Sequence, residues 1–239
     1  MDTLQSNKEA DVAVVAAISE ELASLRKNPP SNSFLLRTGV GEANAERALR
    51  SVLDGRRVRM VIHIGFAGAL SPDVRVGDVV IAHRVQGSFS DSVPAASLEL
   101  AARLKLPAIP IHFGTAVTVS DFLWKAEAKR ALAASVKMIE PAWADMESAA
   151  VARICVEREI PFVIARAITD LVEEDLPLDL NRCRKPDGDL SRAKILVSAL
   201  AHPSAIRKLI ELRRRSALCA ARLDLLVRQL CNLVFSPSA

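Results

Sequence analysis

The segment from Ala144 to Asp170, ADMESAAVARICVEREIPFVIARAITD, restricts the fold most, because it predicts a helix, a break and a buried strand in immediate succession. From Ser148 to about Glu157 the apolar residues recur at helical spacing, and Pro161 cannot continue a helix. The run PFVIARAI that follows is almost continuously apolar, which is typical of a strand covered on both faces. Ligands in open α/β sheets bind outside the carboxyl ends of such strands, so Asp170 is predicted to be a functional acid.

Short apolar runs alternate with helical patterns along the rest of the chain. This alternation predicts one α/β domain in which helices cover a central sheet. The predicted strands are 12–17, 34–37, 60–64, 79–82 and 111–119, and residues 136–146 return the chain to the sheet. The predicted helices are 19–28, 43–53, 99–104, 125–135 and 193–200. We expect a disordered leader at 1–11, the domain at 12–200, and a basic amphipathic helical extension at 201–239 packed on or beside it.

Charge is distributed unevenly along the chain, whose formal net charge is +4. Residues 182–239 carry 12 Lys or Arg against 4 Asp or Glu, so the preceding part is net acidic. Apolar residues of the extension recur at helical spacing, which predicts a helix that covers the sheet or forms a dimer contact. The alternative is a helix that lies on an anionic membrane surface. The extension contains one aromatic residue, Phe235, and no recognisable nucleic-acid-binding motif, so we expect no nucleic-acid partner.

The cysteine and histidine content bears on compartment and cofactors. The four cysteines form no CxxC pair and the four histidines are scattered, so we expect reduced thiols in a cytoplasmic protein without a metal site. No apolar run approaches the roughly 20 residues of a membrane-spanning helix. The polar residues 1–11 do not have the pattern of a signal peptide.

Three separated stretches resemble one known family: VAVVAAISEEL at 12–22, VIHIGFAGALSPDVRVGDVVIA at 61–82, and the segment 144–170 described above. They are similar to the nucleoside phosphorylase and nucleosidase superfamily, whose members cleave the N-glycosidic bond of nucleosides. The resemblance implies a three-layer phosphorylase/hydrolase-like α/β fold with a central mixed sheet and helices on both faces. It also implies a homodimer and a small-molecule nucleoside substrate.

Two branches of the superfamily are candidate relatives. The methylthioadenosine/S-adenosylhomocysteine nucleosidases hydrolyse the bond in nucleoside salvage, and their pattern of acids matches. The hopanoid-associated phosphorylases release adenine from an adenosyl-hopane precursor, and both the segment after Asp170 and the C-terminal extension look more like theirs. The predicted function is therefore cleavage of a 5′-substituted adenosine by phosphorolysis or hydrolysis. The alternative of another class is a catalytically silent nucleoside-binding, membrane-associated protein.

The resemblance assigns roles to three acids. Glu21 would activate water, Glu147 would hold the ribose hydroxyls, and Asp170 would protonate the departing adenine. Elementary chemistry agrees, because bond cleavage builds positive charge on the sugar and the base leaves poorly until it is protonated. These roles need neither a metal nor an organic cofactor, and phosphate enters only as a co-substrate of phosphorolysis.

Further residues near these motifs are candidates for substrate binding. His63 and Phe66 stand where the hexameric purine nucleoside phosphorylases carry an Arg and a Ser that bind phosphate. Their absence favours hydrolysis, or phosphate bound by other residues, for which Arg37 and Arg166 are candidates.

Arg166 lies inside an apolar strand and therefore needs a carboxylate partner, either a site acid or a structural one. Met146 and Phe122 are predicted either to contact the nucleoside or to belong to the core. The loop after Asp170 is long enough to act as a lid. The substrate-binding candidates are Asp145, Met146, Phe122, Gly65, Phe66, Ala67, Gly68 and Arg166.

Overall fold

The computed structural model describes residues 11–136, 140–185, 191–201 and 203–235. The predicted disordered leader therefore lies outside the described residues except for Asp11. The strands are β1 (Asp11–Ala16), β2 (Ser33–Arg37), β3 (Val58–Ala69), β4 (Val79–Gln86), β5 (Asp91–Ser92), β6 (Ile111–Thr118), β7 (Ala142–Asp145) and β8 (Phe162–Asp170). The helices are α1 (Glu42–Gly55), α2 (Ala95–Ala102), α3 (Ala126–Val136), α4 (Ser148–Glu157), α5 (Arg192–Ala201) and α6 (Pro203–Phe235), with short 3-10 turns at Leu25–Lys27 and Leu180–Cys183.

The strands form a mixed sheet in the order β2-β1-β3-β7-β6-β4-β5, and β8 pairs with both β3 and β4. Strand β8 runs parallel to β3 and antiparallel to β4. Because β8 bridges two strands that are separated along this path, the sheet curls into a partly closed barrel. The carboxyl ends of β1, β3 and β8 consequently lie side by side at one end of the sheet.

Helices cover both faces of this sheet. On one face, residues of α1 and α4 such as Leu49 and Ile154 share a buried cluster with Val15 and Ile164. On the other face, α6 packs against β1, β3 and β8 through side chains with almost no exposed surface. The buried residues of α6 that belong to this cluster are Cys219, Leu223, Leu226, Val227, Leu230 and Cys231. The predicted three-layer α/β fold with a central mixed sheet is thus confirmed.

Two local predictions were wrong. Residues 19–24 form turns followed by a 3-10 turn rather than a helix beginning at Ser19. The side chain of Glu21 turns back to accept hydrogen bonds from the Ala17 and Ile18 amides, which holds the chain out of helical geometry. The predicted strand at 60–64 is too short, because β3 continues through the small residues 65–69 and pairs there with β8.

Helix α6 changes its environment along its length. One face of its second half is buried against the sheet, whereas large apolar side chains of its first half, such as Ile206 and Ile210, are exposed. Within the part of the chain that the structure describes, no helix is both long enough and apolar enough to cross a membrane.

Candidate active site

A cavity of about 760 Å³ lies at the end of the sheet where β1, β3, β7 and β8 finish. Its walls include the segments that directly follow or end these strands, namely 17–21, 66–68, 144–147 and 169–170. The three predicted catalytic acids Glu21, Glu147 and Asp170 all line it. Residues separated by more than a hundred positions in the sequence thus converge because their strands end side by side.

The carboxylate of Glu21 is held entirely by backbone amides. Its Oε2 accepts hydrogen bonds from Ala17 N at 2.9 Å and Ile18 N at 3.0 Å, and its Oε1 accepts one from Phe66 N at 2.8 Å. Burial raises the pKa of Glu21 above its usual value, although these backbone hydrogen bonds oppose the rise. Glu21 is therefore a fixed carboxyl group with raised proton affinity, as a general base requires.

Glu147 is the most strongly perturbed acid of the cavity. Its Oε1 accepts a hydrogen bond from Gly41 N at 2.8 Å, and its side chain is buried between the end of β7 and the start of α4. Burial, followed by the nearby negative charge of Asp145, raises the pKa of Glu147 to about 8. The positive charge of Arg166 and the Gly41 hydrogen bond only partly offset this. Glu147 consequently holds a proton at neutral pH when the cavity contains no cationic partner.

Asp170 is paired with a buried lysine that the sequence did not identify. Its Oδ1 accepts a hydrogen bond from the Thr169 hydroxyl at 2.8 Å, and its Oδ2 accepts one from the ammonium group of Lys129. Lys129 comes from α3, and its side chain is 1% exposed although it lines the cavity. No sequence pattern indicated this pair, because Lys129 stands in a helix with several other charged residues.

Asp145 lines the cavity, but hydrogen bonds occupy both of its oxygens. Oδ1 accepts hydrogen bonds from the Thr118 hydroxyl at 3.1 Å and from Ser148 N at 3.0 Å, and Oδ2 accepts one from the Ser148 hydroxyl. Oδ2 also lies 3.3 Å from Arg166 Nη2, in an ion pair whose side chains are both 1% exposed. The carboxylate partner that Arg166 was predicted to need is therefore a site acid, and Asp145 is a supporting rather than a freely exposed group.

Gly65 and Arg166 lie behind the cavity wall and are not among the described residues that line it. A Cβ atom at Gly65 would come within 2.9 Å of Glu21 Oε1 and 3.3 Å of Arg166 Nε, so only glycine leaves room for this arrangement. Arg166 also contacts His63, which is fully buried. Burial, and then the charge of Arg166, lowers the pKa of His63 well below its usual value, so this histidine is neutral. Neither the Arg166 cation nor the neutral His63 is among the described residues that line the cavity.

The remaining predicted contact residues do reach the cavity. Phe66, Ala67 and Gly68 line it, as do Met146 and Phe122. The side chain of Phe66 also packs against the buried cluster beneath α6, so it belongs to both the core and the wall. Arg37 is an exposed residue at the end of β2 and does not appear among the lining residues in the described chain.

A second part of the cavity is apolar and was missed in the sequence. It is formed by the segment after Asp170 together with α5 and the first half of α6. Asn181 holds this segment over the cavity by exchanging hydrogen bonds with the backbone N–H and carbonyl of Phe122, at 2.8 and 3.0 Å. The apolar residues that line this part are Leu176, Leu180, Ile195, Leu209 and Leu212. Among the described residues, no group of three or more His, Cys, Asp or Glu side chains is arranged to hold a metal ion.

Comparison with known proteins places the chain in a family. The model of the family described as the phosphorylase superfamily matches residues 25–185. The chain is 29% identical over 202 residues to the 5′-methylthioadenosine/S-adenosylhomocysteine nucleosidase of Geobacillus thermodenitrificans, covering 68% of this chain and 85% of that protein. It is 28% identical over 203 residues to the Bacillus subtilis nucleosidase of the same name, covering 69% of this chain and 87% of that protein.

Solved structures agree on the fold. The adenine complex of the corresponding nucleosidase from Colwellia psychrerythraea matches with a TM-score of 0.68 at 17% identity, covering 94% of this chain and 96% of that one. A Helicobacter pylori futalosine hydrolase mutant matches with a TM-score of 0.65 at 16% identity, covering 92% and 99%. The family match, the similar relatives and the shared fold lead to one conclusion: this chain belongs to the phosphorylase superfamily.

Proposed function

We propose that this protein cleaves the N-glycosidic bond of an adenine nucleoside. The observation that carries the proposal is the convergence of three carboxyl groups, Glu21, Glu147 and Asp170, on one cavity at the end of the sheet. The similar relatives named as 5′-methylthioadenosine/S-adenosylhomocysteine nucleosidases support both the reaction and adenine as the leaving base.

The three acids divide the chemistry of the reaction. Breaking the bond leaves positive charge on the sugar, and a carboxylate beside the ribose hydroxyls stabilises that charge, which we assign to Glu147. The base departs more easily when it is protonated, which we assign to Asp170. Glu21, whose pKa is raised by burial, accepts the proton of the attacking nucleophile.

We propose water rather than phosphate as the nucleophile. Phosphate binding needs free amide donors or cations, and the amides of Ala17, Ile18 and Phe66 already donate to Glu21. Among the described residues that line the cavity, the cations are Lys129, which is bound to Asp170, and Lys185 and Arg213. Lys185 belongs to the loop after Asp170 and Arg213 to α6, and neither belongs to the backbone segments whose amides bind Glu21.

The apolar part of the cavity supports a substrate with an apolar 5′ substituent. Leu176, Leu209 and Leu212 offer a surface that excludes water and would favour an alkyl or alkylthio group over a free hydroxyl. A long hydrocarbon substituent, as in the adenosyl-hopane substrate of the hopanoid-associated phosphorylases, is one proposal. Methylthioadenosine or S-adenosylhomocysteine is the alternative, which the names of the relatives favour.

Adenine release tests these proposals directly. Methylthioadenosine, S-adenosylhomocysteine and a 5′-alkyl adenosine are each incubated with the protein, with and without phosphate, and free adenine is measured by chromatography. We expect release without phosphate, and release that is slower by about 10²- to 10⁴-fold in Asp170→Asn, which loses the general acid. Dependence on phosphate would replace water by phosphate as the nucleophile. Absence of release from a folded protein with every substrate would instead support the catalytically silent nucleoside-binding alternative.

We also propose that the outer surface of α5 and α6 lies on an anionic membrane surface. Val197, Ile206 and Ile210 are exposed there, and the basic residues Arg207 and Lys208 belong to the same helical region. Sedimentation with vesicles of anionic lipid should pellet the unaltered protein but not an Ile206→Ser/Ile210→Ser variant. Equal, negligible pelleting of both would contradict the proposal.

A cytoplasmic location and a homodimer stay proposals that the resemblance supports. Light scattering measures the oligomeric state.

A further inference from the structure

Lys129 is a buried cation on the wall of the catalytic cavity. Its ammonium donates to Asp170 Oδ2, to the Leu171 carbonyl at 3.0 Å and to the Glu174 carbonyl at 2.9 Å. An ammonium has three N–H donors, so every donor has an acceptor. Burial of an ammonium is strongly unfavourable unless it is paired and fully hydrogen-bonded. Because burial of the Lys129 ammonium costs free energy, a gain in stability does not by itself explain its position, and we look for a role in the cavity.

The pairing leaves the Asp170 carboxyl group a single orientation. Oδ2 is confined between Lys129 and the backbone of Gly68, where a Cβ atom would come within 2.9 Å of it. Oδ1 accepts a hydrogen bond from the Thr169 hydroxyl at 2.8 Å. Lys129 thereby fixes one oxygen and leaves the other, with its remaining lone pair, as the edge that can meet a ligand in the cavity.

Lys129 also connects the Asp170 carboxyl group to the loop after β8, which lines the cavity. Two of its acceptors are carbonyls of the segment that follows β8, and the Glu174 side chain of that segment is paired with Arg215 of α6 at 2.8 Å. Glu174 further accepts a hydrogen bond from Leu171 N at 3.0 Å. The Lys129 ammonium therefore connects the end of β8 to the loop after it, and the Glu174–Arg215 ion pair connects that loop to α6.

We propose that Lys129 is a positioning residue of the cleavage reaction, which aligns the Asp170 carboxyl group with the departing base. The inference rests on the proposed function. As the C1′–N9 bond breaks, its electron pair moves onto the base, a proton carried on Oδ1 of Asp170 passes to the base, and water adds to C1′ while its proton passes to Glu21. Asp170 is then a carboxylate in contact with the Lys129 ammonium, which attracts the charge that the step leaves behind.

A double-mutant cycle separates positioning from a general structural role. The variants are Lys129→Met, Asp170→Asn and their combination, which leaves no buried charge unpaired. Lys125→Met is the matched control, because Lys125 immediately precedes the same helix, is half exposed, pairs with Asp175 at the surface and is not among the lining residues of the described chain. The cycle is read twice, as kcat for adenine release and as the Kd of adenine by calorimetry, after circular dichroism has shown that each variant is folded.

We expect Lys129→Met to lower kcat by about 10²-fold, the loss typical of misplacing a catalytic group by about 1 Å. It should also weaken adenine binding about tenfold while Lys125→Met changes neither. In the Asp170→Asn background the same substitution should change both kcat and the Kd of adenine less than about threefold. Lys129 acts by orienting the Asp170 carboxyl group, which that background already lacks.

Equal losses in both backgrounds would overturn the inference, as would unaltered kcat and adenine binding in Lys129→Met. If Lys129→Met does not fold, Lys129→Gln, which keeps a hydrogen-bond donor, completes the same cycle. Absence of both adenine release and adenine binding in the unaltered chain would overturn the proposed function itself, which is a different result from loss in the variants alone.

Discussion

Replacing Glu147 by glutamine should stabilise the fold while it abolishes activity. Glu147 has a pKa of about 8 in the folded protein against a usual value of 4.5, because burial and the charge of Asp145 oppose its ionisation. The unfolded chain therefore releases this proton between pH 4.5 and pH 8 while the folded chain keeps it. It follows that the free energy of unfolding falls as pH rises through this window.

The size of the effect follows from the gap between the two pKa values. Each unit corresponds to about 1.4 kcal/mol, so the penalty is on the order of 3 kcal/mol at pH 7 and approaches about 5 kcal/mol above pH 8. Below pH 4.5 both states bind the proton and the penalty vanishes. Because the side chain is buried, solvent screening removes little of it. Glutamine has nearly the same shape and cannot ionise, so it removes the penalty.

Urea unfolding of the unaltered protein and Glu147→Gln at pH 5 and pH 8 measures this difference. The two proteins should have similar free energies of unfolding at pH 5, and the variant should be more stable at pH 8 by several kcal/mol. Glu99→Gln, at an exposed position of α2, is the control and should change stability by less than about 0.5 kcal/mol at both pH values. Parallel pH dependence of the free energy of unfolding in the unaltered protein and Glu147→Gln would show that Glu147 does not retain its proton in the folded state.

Three further substitutions test other parts of the account. Glu21→Gln should lower kcat for adenine release by about 10²- to 10⁴-fold with little change in KM, since it removes the general base; unchanged kcat in steady-state assays would contradict this. Gly68→Ala places a Cβ atom within 2.9 Å of Asp170 Oδ2, so kcat should fall while thermal unfolding shows a folded protein. Leu226→Ala removes a fully buried side chain of α6 and should cost about 2 to 5 kcal/mol in urea unfolding, whereas a change below 1 kcal/mol would mean that α6 does not stabilise the sheet.

The sequence predicted the segment 144–170 accurately because its determinants are local. Helix α4 begins at Ser148 and ends at Glu157 as predicted, and β8 covers the apolar run after Pro161. Hydrophobic periodicity and proline chemistry act within a few residues, so a single sequence contains them. The superfamily inferred from this and the two other motifs is confirmed by the match to residues 25–185.

The features that the sequence did not predict depend on contacts between distant segments. Residues 19–24 have helical composition, but Glu21 accepts hydrogen bonds from Ala17, Ile18 and the distant Phe66, which fixes a turn instead. The partner of Asp170 lies 41 positions away in α3, where Lys129 looks like an ordinary helix residue. The apolar part of the cavity likewise exists only because α6 folds back over the loop after β8.

The central proposal is hydrolysis of an adenine nucleoside by the three convergent acids Glu21, Glu147 and Asp170. The most direct measurement is the initial rate of adenine release from methylthioadenosine in phosphate-free buffer, with identification of the sugar product by mass spectrometry. We expect steady release, with a sugar that carries a free anomeric hydroxyl. No release in this buffer, or release that begins only when phosphate is added and yields a sugar 1-phosphate, would contradict it.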